Sequence, residues 1–383
     1  MVAMVRAGTR QRAVARHFAV SLYTVQWWLK RAAGLRLDRV DWSTRAPVPS
    51  RTGRTLRAVE DLVLCLRKEL REQSDLGEFG AAAIRATLLE RDHRPVPSVR
   101  TIGRMLARRG ALDGRRRRRL PAPARGWYVP GVADSQAEVD CFDIVEGLVI
   151  QGGTGVEVLN VISLHGALAD AWPHTEVSAK VAVELIVAHW RAVGLPAYAQ
   201  FDNDTIFQGA HHRPDSISRV MRLCLSLGVV PVFAPPREPG FQAAIESFNG
   251  RWQAKVWARF HHPSLGALRE RSARYISALR TRGAVRREAA PRRQPFPLVW
   301  QLDLQAHPQG RVIYLRRTSE HGTVSLLGRT FLVDRHWTHR LVRCEVDLGT
   351  ELIRCCALRR RQPDHQPLLA TLPYVRRPRR FYE

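Results

Sequence analysis

The sequence has few cysteines, and none lies at the spacing of a metal knuckle. Its six cysteines are scattered over 383 residues with no Cys-x-x-Cys pair, which excludes a disulfide framework and a zinc ligand set. No run approaches the roughly 18–20 apolar residues that a membrane span needs, and residues 1–12 have no apolar signal-peptide stretch. We therefore expect a cytoplasmic protein with free thiols and no membrane partner.

Acidic residues and lysines are also scarce. The chain has 35 Asp and Glu against 61 Lys and Arg, giving a net charge of +26, and only four of the basic residues are lysines. The arginine bias is typical of a GC-rich genome, but it leaves the net charge unchanged. Such a charge attracts polyanions, so nucleic acid is the leading partner, with an acidic protein or a membrane surface as alternatives. The 45% of apolar residues excludes wholesale disorder.

The length indicates several domains, at roughly 100–200 residues each. Residues 1–33 have apolar residues at helical spacing and a break at Ala19–Ser21, a pattern that favours a helix-turn-helix. Ser21 can cap a helix over 22–31. We expect the outer face of this helix to contact DNA through Tyr23, Thr24, Gln26, Trp27, Lys30 and Arg31. A plain three-helix bundle is the alternative.

A linker over 34–55 precedes a second helical block, residues 56–110, predicted to be a winged-helix or helix-turn-helix unit that binds DNA. Its last helix follows the cap Ser98, and Arg100 and Arg104 are its candidate DNA contacts. A basic linker over 111–135 contains five consecutive arginines, Arg115 to Arg119. That run is either a solvated segment or a tether that tracks phosphates.

The rest of the chain predicts two further domains. Residues 136–282 alternate strand and helix patterns, which indicates an α/β domain. After a linker over 283–310, residues 311–383 read as five short strands with tight turns and a basic end, which favours a small β-barrel. The predicted fold is therefore multidomain: all-α helix-turn-helix units, an α/β core and a small all-β barrel.

Carboxylates inside apolar segments are unusual in so basic a chain. Asp140 lies mid-strand, Asp202 follows the strand predicted at 197–201, and Glu246 lies in the first turn of a helix. Strand ends and helix starts converge at one edge of an α/β sheet, and three carboxylates there would hold two divalent cations, Mg²⁺ or Mn²⁺. Such a pair clamps the entering and leaving oxygens of a phosphoryl displacement. Asp143 or Asp204 are alternative choices, and ordinary caps or surface acids are the other interpretation.

Three segments carry a resemblance to a known family. They are Glu-Val-Asp140-Cys, Phe-Asp202-Asn-Asp-Thr-Ile-Phe207, and Pro-Pro-Arg-Glu-Pro239-Gly-Phe-Gln-Ala-Ala-Ile-Glu246-Ser-Phe-Asn249. They resemble the ribonuclease-H-like core of the DDE transposases and retroviral integrases. The N-terminal segment and Asp41-Trp-Ser-Thr-Arg-Ala-Pro47 look like those of bacterial insertion-sequence transposases. The terminal barrel is similar to the SH3-like domain behind many integrase cores.

The resemblance implies that the catalytic, metal-binding acids are Asp140, Asp202 and Glu246, with Asn249 on the same helix face. Arg251 and Lys255 either contact DNA phosphate or are merely exposed. The chain departs from the family pattern at three places. Asp204 replaces a glycine, Gln242-Ala243 replaces a glycine turn, and roughly eight extra residues lie between Phe207 and Arg219.

The implied protein is a bacterial, nucleoid-associated transposase. It would bind the inverted-repeat ends of its element as double-stranded DNA, nick them with Mg²⁺ (or Mn²⁺) and join them to a target while self-associated as a multimer. A catalytically degenerate DNA-binding relative that acts as a regulator is the alternative. A structure-specific nuclease is the third hypothesis.

Overall fold

The computed structural model describes residues 1–43, 56–112, 124–210, 213–238 and 240–375. The chain divides into two compact units, Met1–Asp61 and Leu62–Glu383. The arginine run at 115–119 and the basic end at 377–380 lie outside the described residues. Within the described ranges, no helix has the length and apolar character to cross a membrane.

The first unit contains the helices predicted for residues 1–33. They are α1 (Val2–Arg6), α2 (Gln11–His17) and α3 (Leu22–Arg31), followed by a 3₁₀ turn at Leu37–Arg39. Ser21 caps α3, because its Oγ accepts a hydrogen bond of 3.1 Å from the amide of Thr24. Val14 and Val25 are fully buried between α2 and α3. The helices form as predicted, and their binding to DNA stays a prediction.

The second helical block also forms as predicted. It consists of α4 (Arg57–Gln73), α5 (Ala81–Glu90) and α6 (Val99–Arg108). The Oγ of Ser98 accepts a hydrogen bond of 3.2 Å from the amide of Thr101 and so caps α6. Residues 56–112 contain no strand. Residues 56–112 are therefore purely helical, and their interpretation as a winged-helix or helix-turn-helix unit that binds DNA stays a prediction.

The α/β part of the second unit begins with five paired strands. They are β1 (Val139–Val149), β2 (Gly155–Ser163), β3 (Ala169–His174), β4 (Tyr198–Phe201) and β5 (Val230–Phe233). The strands β1, β2 and β3 form an antiparallel meander, and β4 and β5 run parallel to β1. The helices of this part are α7 (Ala179–Val193), α8 (Thr205–Gln208), α9 (Arg219–Ser226), α10 (Ala243–Trp252), α11 (Leu265–Arg282) and α12 (Ala284–Glu288). This arrangement is consistent with a ribonuclease-H-like core.

The C-terminal strands extend this sheet. They are β6 (Arg311–Arg317), β7 (Thr323–Leu326), β8 (Arg329–Leu332), β9 (Leu341–Asp347), β10 (Leu352–Ala357) and β11 (Leu368–Pro373). Strand β6 pairs in parallel with β5, and the whole sheet has the order β11-β10-β9-β6-β5-β4-β1-β2-β3. The strands β7 and β8 form a separate hairpin.

The predicted separate barrel over 311–383 is thus not what the strand pairings of the described residues show. The physical reason lies in β6, whose residues from Val312 to Arg316 are all buried. A strand buried on both faces needs neighbours and cover on both sides, and β5 offers it an unpaired edge. The core and the C-terminal strands therefore share one sheet.

The core lies in two layers, one on each face of the sheet. Phe142 of β1 packs in the layer that contains Ile186 of α7, whereas Cys141 and Val145 pack in the layer that contains Phe248 of α10. Successive side chains of a strand point to opposite faces. Even-numbered positions of β1 at 140–144 therefore face α7, and odd-numbered positions face α10.

The extra residues between Phe207 and Arg219 attach the core to the C-terminal strands. The amide of Asp215 donates to the carbonyl of Leu327 at 2.9 Å, and the Asp215 carboxylate accepts from the Tyr374 hydroxyl at 3.0 Å and from Arg329. His211 and His212 of this insertion lie outside the described residues. The insertion lengthens the segment between Asp202 and Glu246 without entering β4, which precedes Asp202, or α10, which carries Glu246.

Candidate active site

Asp140 is fully buried on the α7 face of β1. Its two carboxylate oxygens accept hydrogen bonds of 2.9 and 2.6 Å from Arg293, and Oδ2 also accepts one of 3.0 Å from the Trp190 indole. Burial would raise the pKa of Asp140, but Arg293 and His189 outweigh it and hold that pKa well below its usual range. The carboxylate is thus neutralised by a guanidinium.

His189 and Asp170 complete this buried ionic cluster. The Nδ1 of His189 lies 2.6 Å from Asp170 Oδ2, and its Nε2 lies 3.7 Å from Asp140 Oδ2. Burial disfavours the imidazolium, but hydrogen bonds and charge from the two aspartates raise the pKa of His189. Arg280 pairs with Asp170 from the outside. Each of the two aspartates is thus paired with an arginine, as in a structural ion-pair cluster.

The structure therefore does not bring Asp140 together with Asp202 and Glu246. The reason is the alternation of β1, which turns Asp140 towards α7 while Glu246 lies on α10. Asp143, three residues further along β1, points to the α10 face. Asp143 was the alternative that the sequence left open, and it takes the position at which Asp140 was expected.

Two asparagines orient the Asp143 carboxylate. The amide nitrogen of Asn249, on α10, donates to Asp143 Oδ2 at 2.6 Å. Asn160, the partner of Asp143 in the β1–β2 register, donates in turn to Asn249 Oδ1 at 2.9 Å. Asn160 is fully buried and Asn249 nearly so. The carboxylate is consequently held between the strand pair and the helix that carries Glu246.

The pKa of Asp143 is raised by burial and by the charges of the other two acids. Burial is the largest cause, followed by the negative charge of Asp202 and a smaller contribution from Glu246, and together they raise the pKa to about 6. The hydrogen bond from Asn249 acts in the opposite direction. Three acids distant in sequence, Asp143, Asp202 and Glu246, are thus coupled electrostatically on one face of the sheet. Perturbed acids of this kind cluster at functional sites.

The turn after β4 fixes Asp202 without the glycine of the family pattern. Asp202 Oδ1 accepts a hydrogen bond of 2.9 Å from the amide of Asp204, whose own carboxylate caps α8 through the amide of Ile206 at 2.7 Å. Asp204 has φ −60° and Gln242 has φ −109°. Neither position needs a left-handed backbone, so these two departures from the family pattern leave the acids in place.

A buried polar group that the sequence analysis missed fixes the approach to α10. Gln200, on β4, donates to the carbonyl of Phe241 at 2.8 Å. The Tyr128 hydroxyl lies 2.7 Å from Gln200 Oε1 and 2.6 Å from the same carbonyl. Phe241 precedes α10 by two residues. The available signal was a glutamine inside an apolar strand two residues before Asp202.

The donor set suits a hard divalent cation, because all three groups are carboxylates. Within the described ranges, however, no three His, Cys, Asp or Glu side chains are already close enough together to hold a metal ion. Glu246 is exposed on the first turn of α10, whereas Asp143 and Asp202 are partly buried. Asp143 and Asp202 are therefore the residues that would hold a cation on this face.

The predicted DNA contacts of α3 divide into two groups. Tyr23, Gln26, Trp27 and Lys30 are exposed. The hydroxyl of Thr24 instead lies 2.8 Å from that of the cap Ser21. Arg31 pairs with Asp41 at 2.9 Å and stacks on the rings of Trp27 and Trp28. Arg31 therefore stabilises the unit itself, and the exposed group is the candidate DNA surface.

The other predicted contacts divide in the same way. Arg100 and Arg104 are exposed one turn apart on α6, and Arg251 is exposed on α10. Lys255 differs from these three arginines because its ammonium is already used within the protein. It donates to the carbonyl of Gly77 at 2.8 Å and lies 5.3 Å from the Phe79 ring. Lys255 thus joins two parts of the chain.

Comparison with known proteins adds the following. No protein-family profile matches the sequence, and no curated protein matches it. Among solved structures, the catalytic core domain of BIV integrase is similar at 13% identity and a TM-score of 0.28, over 37% of this chain and 81% of that domain. The simian T-cell lymphotropic virus intasome, in complex with PP2A regulatory subunit B56 gamma, is similar at 14% identity and a TM-score of 0.33, over 69% of this chain and 84% of that one. Function is therefore inferred from this chain's own side chains.

Proposed function

We propose that the protein is a DNA transposase of the DDE type, a metal-dependent polynucleotidyl transferase whose catalytic acids are Asp143, Asp202 and Glu246. The observation that carries this proposal is that β1, the end of β4 and α10 present Asp143, Asp202 and Glu246 on one face of the sheet, with the Asp143 carboxylate held by Asn249. A divalent cation would offset the like charges that help to raise the pKa of Asp143. DNA is the substrate class that fits the net charge of +26.

The residues of the site divide the work. Asn249 holds the Asp143 carboxylate, the Asp204 amide holds that of Asp202, and α10 presents Glu246 beside them. A bound Mg²⁺ or Mn²⁺ pair would supply Lewis-acid stabilisation of charge on the phosphate oxygens. The side chains bind and orient, and no covalent link between protein and DNA is needed. The expected reaction is nicking of an element end followed by attack of its 3′-hydroxyl on a target.

The helical units would supply the DNA ends. The exposed residues of α3 and the arginines Arg100 and Arg104 of α6 would read inverted repeats and their phosphates. Joining requires two ends held together, so the active form would be a multimer on DNA. The intasome among the structural neighbours is an assembly of that name.

The test uses the full chain with Mg²⁺ and a labelled duplex that carries the DNA flanking its gene. We expect nicking and strand transfer by the unmodified protein, and neither by Asp143→Asn or Asp202→Asn. The matched control is Asp204→Asn, because asparagine caps a helix as well as aspartate and keeps the backbone amide that donates to Asp202. The control should keep its activity.

Two results would redirect the proposal. Full activity of Asp143→Asn would remove that acid from the reaction. Tight binding of the duplex with no cleavage by any form would support the alternative, a DNA-binding regulator with a degenerate core.

A further inference from the structure

The loop from Ser74 to Phe79, between α4 and α5, lies against the core and is bound there by several side chains. Leu76 packs on the core layer beneath α10 and α11. Glu78 pairs with Arg282 of α11. The loop contacts the chain just beyond α10 as well, where the helix continues into a π turn at Gln253–Trp257. Single π turns inside helices are frequent at functional sites.

Arg259, just after the π turn, caps the C-terminus of α4. Its Nη2 donates to the carbonyls of Arg71 at 2.8 Å and Glu72 at 2.9 Å, and its Nη1 donates to that of Ser74. The last carbonyls of a helix have no partner within the helix, and a cation there also opposes the helix dipole. One core guanidinium therefore fixes the end of a helix of the second helical block.

Lys255 and Arg67 extend this contact to the end of α6. The Phe79 ring lies between Lys255, at 5.3 Å, and Arg67 of α4, at 4.9 Å. Arg67 donates to the carbonyl of Phe79 at 2.9 Å and to that of Ala111, just beyond α6, at 2.8 Å. Contacts thus run without a gap from the end of α6, through Arg67 and Phe79, to Lys255 and the helix that carries Glu246.

Gly77 is the tightest point of the loop. It has φ +58°, and a Cβ built there would lie 2.8 Å from Cδ of Lys255 and 2.9 Å from Nη1 of Arg259. Both the backbone conformation and the space favour glycine. A side chain at this position would push away the two cations that hold the loop.

We propose that the Ser74–Phe79 loop is a positioning joint. It holds the second helical block, which contains α6, at a set orientation to α10, and so selects which phosphodiester of the DNA reaches the acids. This inference rests on the proposed transposase function. Lys255 and Arg259 are positioning residues in it, since they touch the loop and not the reacting atoms. With the joint in place, the DNA sequence that α6 binds would lie at a fixed distance from the acids, so cleavage would occur at a fixed position.

The test compares Gly77→Ala and Arg259→Gln with a matched control, Gly228→Ala. Gly228 has φ +70° and nothing within 4 Å of its Cβ position, so its substitution gives similar backbone strain without displacing a partner. Three quantities are measured: the Kd for the flanking duplex, the position and rate of its nicking, and Mn²⁺-supported nicking of a supercoiled plasmid of unrelated sequence. A spin–spin distance between labelled non-natural residues at 104 and 247 is measured without any DNA reaction.

We expect the joint variants to lose about tenfold in nicking at the wild-type position or to spread their cuts over neighbouring phosphodiesters. Their Kd and their plasmid nicking should stay within about twofold, and the 104–247 distance distribution should broaden. An unchanged nick position and distance would overturn the joint, as would parallel loss of plasmid nicking, which signals general damage. If the wild type cleaves neither DNA, the proposed function fails, and the distance distribution alone decides whether the joint exists.

Discussion

The two faces of strand β1 carry aspartates with opposite surroundings. Asp140 is fully buried among Arg293, Trp190 and His189, and its pKa is held low. Asp143 lies opposite two more carboxylates, and its pKa is raised to about 6. A carboxylate with its own guanidinium is already neutralised and belongs to a buried ion-pair cluster. A carboxylate among carboxylates costs stability, and acids with raised pKa values of this kind cluster at functional sites.

The largest expected effect is a loss of cleavage activity, caused by a change on the Asp143 face of β1. Asp143→Asn should lower Mg²⁺-dependent cleavage by at least about a thousandfold, equivalent to about 4 kcal/mol of transition-state stabilisation. The variant should fold, because asparagine can still accept the hydrogen bond from Asn249. Single-turnover cleavage and a thermal unfolding scan measure the two properties. A fall in both together would place Asp143 with the structural acids.

The second effect separates the faces by stability. Asp140→Asn leaves Arg293 buried without its anion and should lower the free energy of unfolding by about 3–4 kcal/mol, measured in urea. The double variant Asp140→Leu with Arg293→Met removes both charges and should recover most of that loss. A single variant within about 1 kcal/mol of the wild type would show that the pair does not stabilise the fold.

A smaller effect concerns the support of Asp143. Asn249→Ala removes the hydrogen bond that favours the ionised carboxylate, so the pKa of Asp143 should rise further. The acid limb of the cleavage pH profile should move to higher pH, with a loss of about twofold at pH 7 that grows towards lower pH. Ser247→Ala, a change at an exposed position of the same helix, is the control. Equal losses at every pH would indicate distortion of α10 instead.

The smallest effect is on stability against pH. The folded-state pKa of Asp143, about 6, lies above the usual value of about 4, so the folded state binds its proton more tightly. The wild type should therefore lose stability as the pH rises through this window, whereas Asp143→Asn should not. In EDTA, the free energy of unfolding of Asp143→Asn should exceed that of the wild type by about 1–2 kcal/mol at pH 8, and should not exceed it at pH 4. Urea titrations at both pH values measure this difference.

Local patterns in the sequence predicted most elements. The apolar spacing and the Ser21 cap predicted α3 at 22–31, where it forms. The apolar strand pattern at 197–201 predicted β4, which forms at Tyr198–Phe201. Both signals depend on residues within one turn or one hairpin of the element, which is why a single sequence contains them.

The face of β1 could not be predicted in this way. Residues 139–142 are all buried, because the strand is covered on both sides, so no polar alternation marks which way Asp140 points. Its partner Arg293 lies 153 residues away in the chain. The match to the family motif therefore favoured Asp140 over Asp143. Which of the two aspartates faces α10 depends on the side chains of both core layers, which come from distant parts of the chain. The positions of Asp202 after a strand and of Glu246 at a helix start could be predicted because both are local features, and their role in a site stays a prediction.

The parallel pairing of β5 with β6 has a consequence for dividing the chain. A fragment that stops at 282, at the boundary the sequence suggested, would lack β6 and also Arg293. Such a fragment would expose β5 as an unpaired edge strand and leave the buried carboxylate of Asp140 without its counter-ion. Both changes favour aggregation. Protein engineers who exchange modules in this molecule would need to move the compact unit that begins at Leu62 as one piece.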